Sequence, residues 1–165
     1  MFRISIVIAV MAFFVSAHAS AAGNIGVVDL RQALFSSQDA QSFSENLQKD
    51  FAGEEARVRE AQEAARELKD RLEKDGAMMN ESERNRIAAE FQEKVKEFNF
   101  LKQKLDSTVA NRKQAFLEEA RPEVDAAVKE LLEEHNLDII LPSEAVVYVK
   151  PSMNLTAKLL EKLNR

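Results

Sequence analysis

The side chains able to do chemistry are few in this chain, and their spacing assembles no reactive centre. There is no cysteine, and there are two histidines. His135 follows Glu133 and Glu134, but a lone histidine at the end of a helix serves the negative end of the helix dipole rather than a metal. The carboxylate pairs Glu54-Glu55 and Glu118-Glu119 are adjacent in sequence, and adjacent residues on a helix do not face each other. No nucleophile stands beside a base to activate it. No glycine-rich phosphate loop is followed by a Lys-Ser or Lys-Thr pair. These features predict no enzyme, no cofactor, no metal and no nucleotide. What remains is the chemistry of surfaces. Met78 and Met79 are flexible and polarisable, suited either to varied apolar partners or to closing a turn on themselves. Phe100 lies two residues from Phe98 and one from Leu101, so a helix that buries those two points Phe100 away.

The elements that must carry these residues are two long helices. Apolar residues at Leu47, Phe51, Val58, Ala61, Ala65, Leu68 and Leu72 form a heptad seam. Glu54 breaks this seam, and Ala61 and Ala65 make it thin. A second seam, Ile87, Phe91, Val95, Phe98, Leu101, Leu105, Val109 and Phe116, follows the 3.6-residue period more closely. Between them lies Asp75 to Ser82, where Gly76 can leave the helical region cheaply and Asn80 or Ser82 can cap the next helix. The spacing therefore predicts an antiparallel helical arm. Forty residues from Ser36 to Asp75 would span about 60 Å, more than a core of this size can bury, so most of the arm is expected to stand in solvent.

Residues 1–22 read as a secretory signal peptide. Arg3 is the positive n-region, Ile4 to Val15 the apolar run, and Ala17-His18-Ala19 or Ala19-Ser20-Ala21 the cleavage pattern. The run is too short to span a bilayer. The remaining chain, 23–165, reads as one unit, with a body at 23–35 and 123–165 and an arm at 36–122. Net charge is −5, and loss of Arg3 makes it more negative by one. That balance argues against nucleic acid as a partner. Charged residues make up 31% of the chain, a composition suited to long solvated helices.

The body is expected to hold three short strands: Ile25 to Leu30, Asp138 to Leu141, and Ala145 to Val149, the last two joined as a hairpin through Pro142-Ser143-Glu144. Glu123 to Glu134 has Val124, Ala127, Val128, Leu131 and Leu132 on one face, and Asn136 suits a left-handed helix end with Leu137 packing back. Ser152 or Asn154 is expected to cap a last amphipathic helix carrying Leu155, Leu159, Leu160 and Leu163. Three short strands cannot close a barrel and leave open edges, so the body is expected to complete itself by cyclic self-association.

The fold class is thus α+β, mainly α, with a coiled-coil arm on a small β body. This order of elements resembles the Skp family (OmpH-like) of periplasmic chaperones. The likeness is carried by Ile25-Gly26-Val27-Val28-Asp29, Leu137-Asp138-Ile139-Ile140-Leu141, Ala145-Val146-Val147-Tyr148 and Leu155-Thr156, and it spans 23–165. The resemblance implies a homotrimer with a shared β-barrel body and three arms around a cavity. It implies an ATP-independent holdase that keeps unfolded outer-membrane β-barrel proteins soluble in the periplasm. It also suggests lipopolysaccharide or an anionic lipid surface as a partner, through a basic run before the arm re-enters the body. Here that run is only Arg112-Lys113, followed by Glu118, Glu119, Glu123 and Asp125, and an acidic surface repels anionic ones. Candidate client contacts are Met78, Met79 and Phe100. Pro122, which should kink the returning helix or begin a fresh one, is a candidate arm hinge. The competing reading is a structural coiled-coil spacer or adaptor of the envelope, but that would need a firmer seam than one containing Glu54, Ala61 and Ala65.

Overall fold

The computed structural model describes residues 23–165; the leader expected at 1–22 lies outside them. The described chain opens with strand β1 (Ile25–Val28), whose last three residues are buried. Helix α1 (Leu30–Phe35) follows, and Asp29 starts it by accepting from the Gln32 N–H at 2.8 Å. Ser36 and Ser37 interrupt the helical run as their local hydrogen bonding favours. Ser37 then caps helix α2 (Gln38–Asp75) by accepting from the Ala40 N–H. At the far end Asn80 caps helix α3 (Glu81–Glu134) through the Glu83 N–H at 2.9 Å, with Glu81 and Glu83 beside the positive end of the dipole.

Two local expectations are corrected. Gly76 does not leave the helical region: its φ and ψ are −57° and −30°, and its N–H still reaches the Leu72 carbonyl at 3.1 Å. Glycine is needed there because a Cβ would collide with the Leu72 carbonyl oxygen. Nor does a fresh helix begin at Pro122, which lies inside α3. The proline leaves only the Glu118 carbonyl without its helical donor, and both residues are exposed, so water can take the lost bond and the helix runs through.

α3 ends in a Schellman motif. Asn136 is at φ 48°, the Leu137 N–H reaches back to the Leu132 carbonyl and the Asn136 N–H to Glu133. The chain then enters β2 (Ile139–Pro142), which pairs with β1 in parallel, Ile25 opposite Ile139 and Val28 opposite Pro142. The expected third strand is not formed. Ser143–Ala145 makes a 3-10 turn instead of a hairpin. Val146 to Lys150 then carries no ladder, and Val147 and Tyr148 are fully and largely exposed. The free side of β1 is occupied by the end of the chain: Val27 bridges Asn154, and the Leu155 N–H donates to the Val27 carbonyl at 2.8 Å.

After a second 3-10 turn, Pro151–Met153, comes helix α4 (Thr156–Leu163). Asn154 accepts from the Thr156 N–H at 3.0 Å. α4 fastens the body together. Thr156 Oγ1 accepts from the Asp29 N–H at 2.9 Å, and Asn164 Oδ1 accepts from the Gln38 N–H, a free donor at the start of α2, at 2.8 Å. Its apolar stripe, Leu155, Leu159 and Leu163, packs with Val28, Ala33, Ala127 and Leu131 into the buried core.

Candidate functional site

α2 and α3 pack along each other as the arm, at the standard rise about 57 Å and 81 Å long. At the root, Phe43 and Phe116 stack with ring centroids 4.4 Å apart and planes 16° from parallel. Ion pairs cross between the helices at Arg112–Asp50 (3.3 Å) and, near the tip, at Arg71–Glu83 (3.0 Å). Between them the seam is poorly covered. Among the described residues of the arm, Ala40, Ala61, Ala65 and Ile87 are fully buried, whereas Leu47, Phe51, Leu68, Phe91, Phe98, Leu101 and Leu105 are half-buried. Alanine at two facing positions supplies little volume, and the larger residues around it keep an open side.

One gap lies where Glu54 replaces a seam hydrophobe. There α2 and α3 leave a crevice of about 140 Å³, floored by Phe51, Leu101 and Leu105 and rimmed by Glu54, Arg57 and Lys104. Arg57 and Leu101 also line an open groove that continues past Ala61 and Ala64 towards Lys94. The sequence signals the broken seam at Glu54, but not that the void opens to one face.

The candidate residues lie strung along the arm and converge on no pocket. Met78 and Met79 form the tip turn, their N–H groups both reaching the Asp75 carbonyl. Met78 is 82% exposed while Met79 is half-buried, so one methionine packs the turn and the other faces solvent. Phe100 points out from the seam, 65% exposed. Arg112 is paired with Asp50, and Lys113 is exposed. Pro122 sits on the open side of α3 where it returns to the body.

One charged group of the body was not singled out by the sequence reading. Lys162 lies on the apolar stripe of α4, its side chain 4% exposed, and donates to Glu134 at 2.7 Å and Glu130 at 2.9 Å. The hydrogen bond from Lys162 holds the Glu134 carboxyl below its ordinary range. The same bond, and the one to Glu130, raise the Lys162 ammonium above its own. The spacing Leu155, Leu159, Lys162, Leu163 carried a signal, since a lysine in step with leucines must find carboxylate partners. His135 ends α3 and accepts at Nε2 from the Lys158 ammonium at 3.1 Å, because an ammonium can only donate.

No described helix is long and apolar enough to cross a membrane. The family model for outer membrane protein (OmpH-like) matches residues 24–163. The chain is 26% identical over 141 residues to the Skp-like protein of Pseudomonas aeruginosa, covering 86% of this chain and 84% of that one. It is 23% identical over 145 residues to the chaperone protein Skp of Vibrio cholerae, covering 88% and 86%. A solved OmpH-like structure from Caulobacter crescentus superposes with a TM-score of 0.62 at 18% identity, over 92% of this chain and 90% of that one, which shows a shared fold. The match takes in every element from β1 to α4, and the chain belongs to the OmpH-like family, alongside the Skp chaperones.

Proposed function

We propose that this protein is an ATP-independent holdase of the periplasm that binds unfolded outer-membrane β-barrel proteins and keeps them soluble on the way to the outer membrane. The observation that carries this reading is the arm: two long helices whose apolar seam is only half covered by its own partner. A spacer would cover its seam, because an uncovered one forfeits stability without giving a firm rod. A holdase gains from it. Each apolar contact is worth little, at about 25 cal/mol per Å², so no single client sequence is selected. Contacts repeated on tethered arms then act at effective concentrations on the order of millimolar. Release needs only a stronger sink for the client, and no step in this scheme consumes a nucleotide.

In this reading three copies assemble around a symmetry axis through the body. Val147 and Tyr148 are exposed and pair with no strand among the described residues, and Ile25 and Ile139 are also exposed. Such a segment beside an open two-stranded sheet is a template for pairing with another copy. Residues 1–22 act in this scheme as a cleaved leader. Pro122 serves as the point about which the arm spreads, since a helix missing one backbone bond bends there more easily. Lipopolysaccharide or anionic lipid at Arg112 and Lys113 is not part of the proposal: Asp50 already engages Arg112, and four carboxylates follow within the next turns of the helix.

Dilution of a urea-unfolded outer-membrane β-barrel protein into buffer tests the holdase reading. Light scattering should stay low when this protein is present, without ATP. Scattering that rises as it does in buffer alone would sink the proposal.

A further inference from the structure

We infer that the mid-arm crevice at Glu54 is a subsite that takes an aromatic side chain of the bound client; this rests on the holdase reading and specifies where on the arm a client is gripped. The volume, about 140 Å³, is close to that of a cavity that accepts benzene, about 150 Å³. Its floor is apolar on both helices, Phe51 from α2 and Leu101 and Leu105 from α3, all half-buried and so still holding apolar surface to give. The rim sets the choice of side chain. Arg57 and Lys104 place two cations at the mouth, and an aromatic face attracts cations where an aliphatic side chain does not. The groove that leads on past Ala61 and Ala64 gives the flanking backbone of an extended segment room to lie along the arm.

The position of Glu54 is what makes the crevice testable. A hydrophobe at 54 would complete the seam and fill the gap, so stability and client binding should move in opposite directions. Glu54→Leu should raise the thermal unfolding midpoint and weaken client holding, read as the concentration that halves light scattering of a urea-unfolded β-barrel protein, about fivefold. Glu54→Gln, which keeps the shape of the gap, should hold client within about twofold of the parent. A photo-crosslinking benzoylphenylalanine at Thr108, on the crevice wall, should label the client at its aromatic residues, and the label should be lost when Glu54→Leu is added. Unchanged holding by Glu54→Leu overturns the inference, whether or not the melting midpoint rises. So does a crosslink from position 108 that joins only to another copy of this chain. Failure of the parent protein itself to suppress scattering would strike the holdase reading instead, so the two failures are distinguishable.

Discussion

Lys162 carries its charge on the stripe of α4 that otherwise holds leucines, and it joins the last helix to the last turns of α3 through Glu130 and Glu134. Both carboxylates are more than half exposed, so solvent screens the pair and the effect on stability is modest. Its sign is nevertheless fixed. Glu134 has a lowered pKa in the folded protein, so its contribution is present above the ordinary glutamate pKa of about 4.3 and is lost as pH falls through the lower folded value. Lys162 has a raised pKa, so its contribution is present below the ordinary lysine value of about 10.4 and is lost as pH rises through the folded one. Urea unfolding midpoints of Lys162→Met should therefore vary less than the parent's at both pH extremes. Asn136 offers a second test. Its φ of 48° is a conformation that Asn tolerates and Ala resists. Asn136→Ala should cost about 1 kcal/mol, and Asn136→Gly should cost less or stabilise, as read from chemical unfolding. Both Asn136 and the cap Asn80 were legible in sequence, because a cap bonds to backbone within three residues of itself and needs nothing distant. The partners of Lys162 were not, because they lie 28 and 32 residues away in sequence.

At the scale of elements, the arm followed from periodicity alone. Two apolar stripes with a break between them have one compact solution, which is to face each other, and the alanines and Glu54 announced how weakly they would do so. Ile87 is the exception among the larger apolar side chains of the arm's seam, fully buried near the tip. Ile87→Ala should cost about 2–5 kcal/mol and lower the helical circular dichroism signal ahead of the body's unfolding, since few other residues hold that end. Pro122 was harder to read. A proline normally ends a helix, but here the carbonyl it leaves unbonded belongs to the exposed Glu118, and α3 continues. In the proposed mechanism Pro122→Ala restores the missing bond and stiffens the root of the arm. It should narrow the range of client sizes held in the scattering assay while leaving a mid-sized client unaffected. Equal holding of the largest and smallest clients would show that the arm does not bend there.

At the scale of the whole molecule, the sequence reading failed at Ala145 to Val149. Its β-branched composition is that of a strand, but a strand exists only where another backbone offers its hydrogen bonds. Within one copy β1 is flanked by β2 on one side and by Asn154–Leu155 on the other, so composition could not tell whether a third partner would come from the same chain. If that segment is where copies meet, Tyr148→Asp should dissociate the assembly without melting the monomer, because Tyr148 is 81% exposed and touches little of its own body. Sedimentation velocity across a concentration series checks this: the parent should sediment as three copies and Tyr148→Asp as one.

The fastening role of α4 has a consequence for the order in which the chain acquires its shape. The arm is made of neighbours in sequence and can form as soon as α3 is complete. β1 cannot settle until β2, more than a hundred residues later, and then α4 arrive to cover its two sides. During that interval the rod exists before its anchor, with the first strand bare. A chain stopped before Asn154 should keep the helical signal of its rod and lose the anchor for good, so the last dozen residues decide whether the others become a usable molecule.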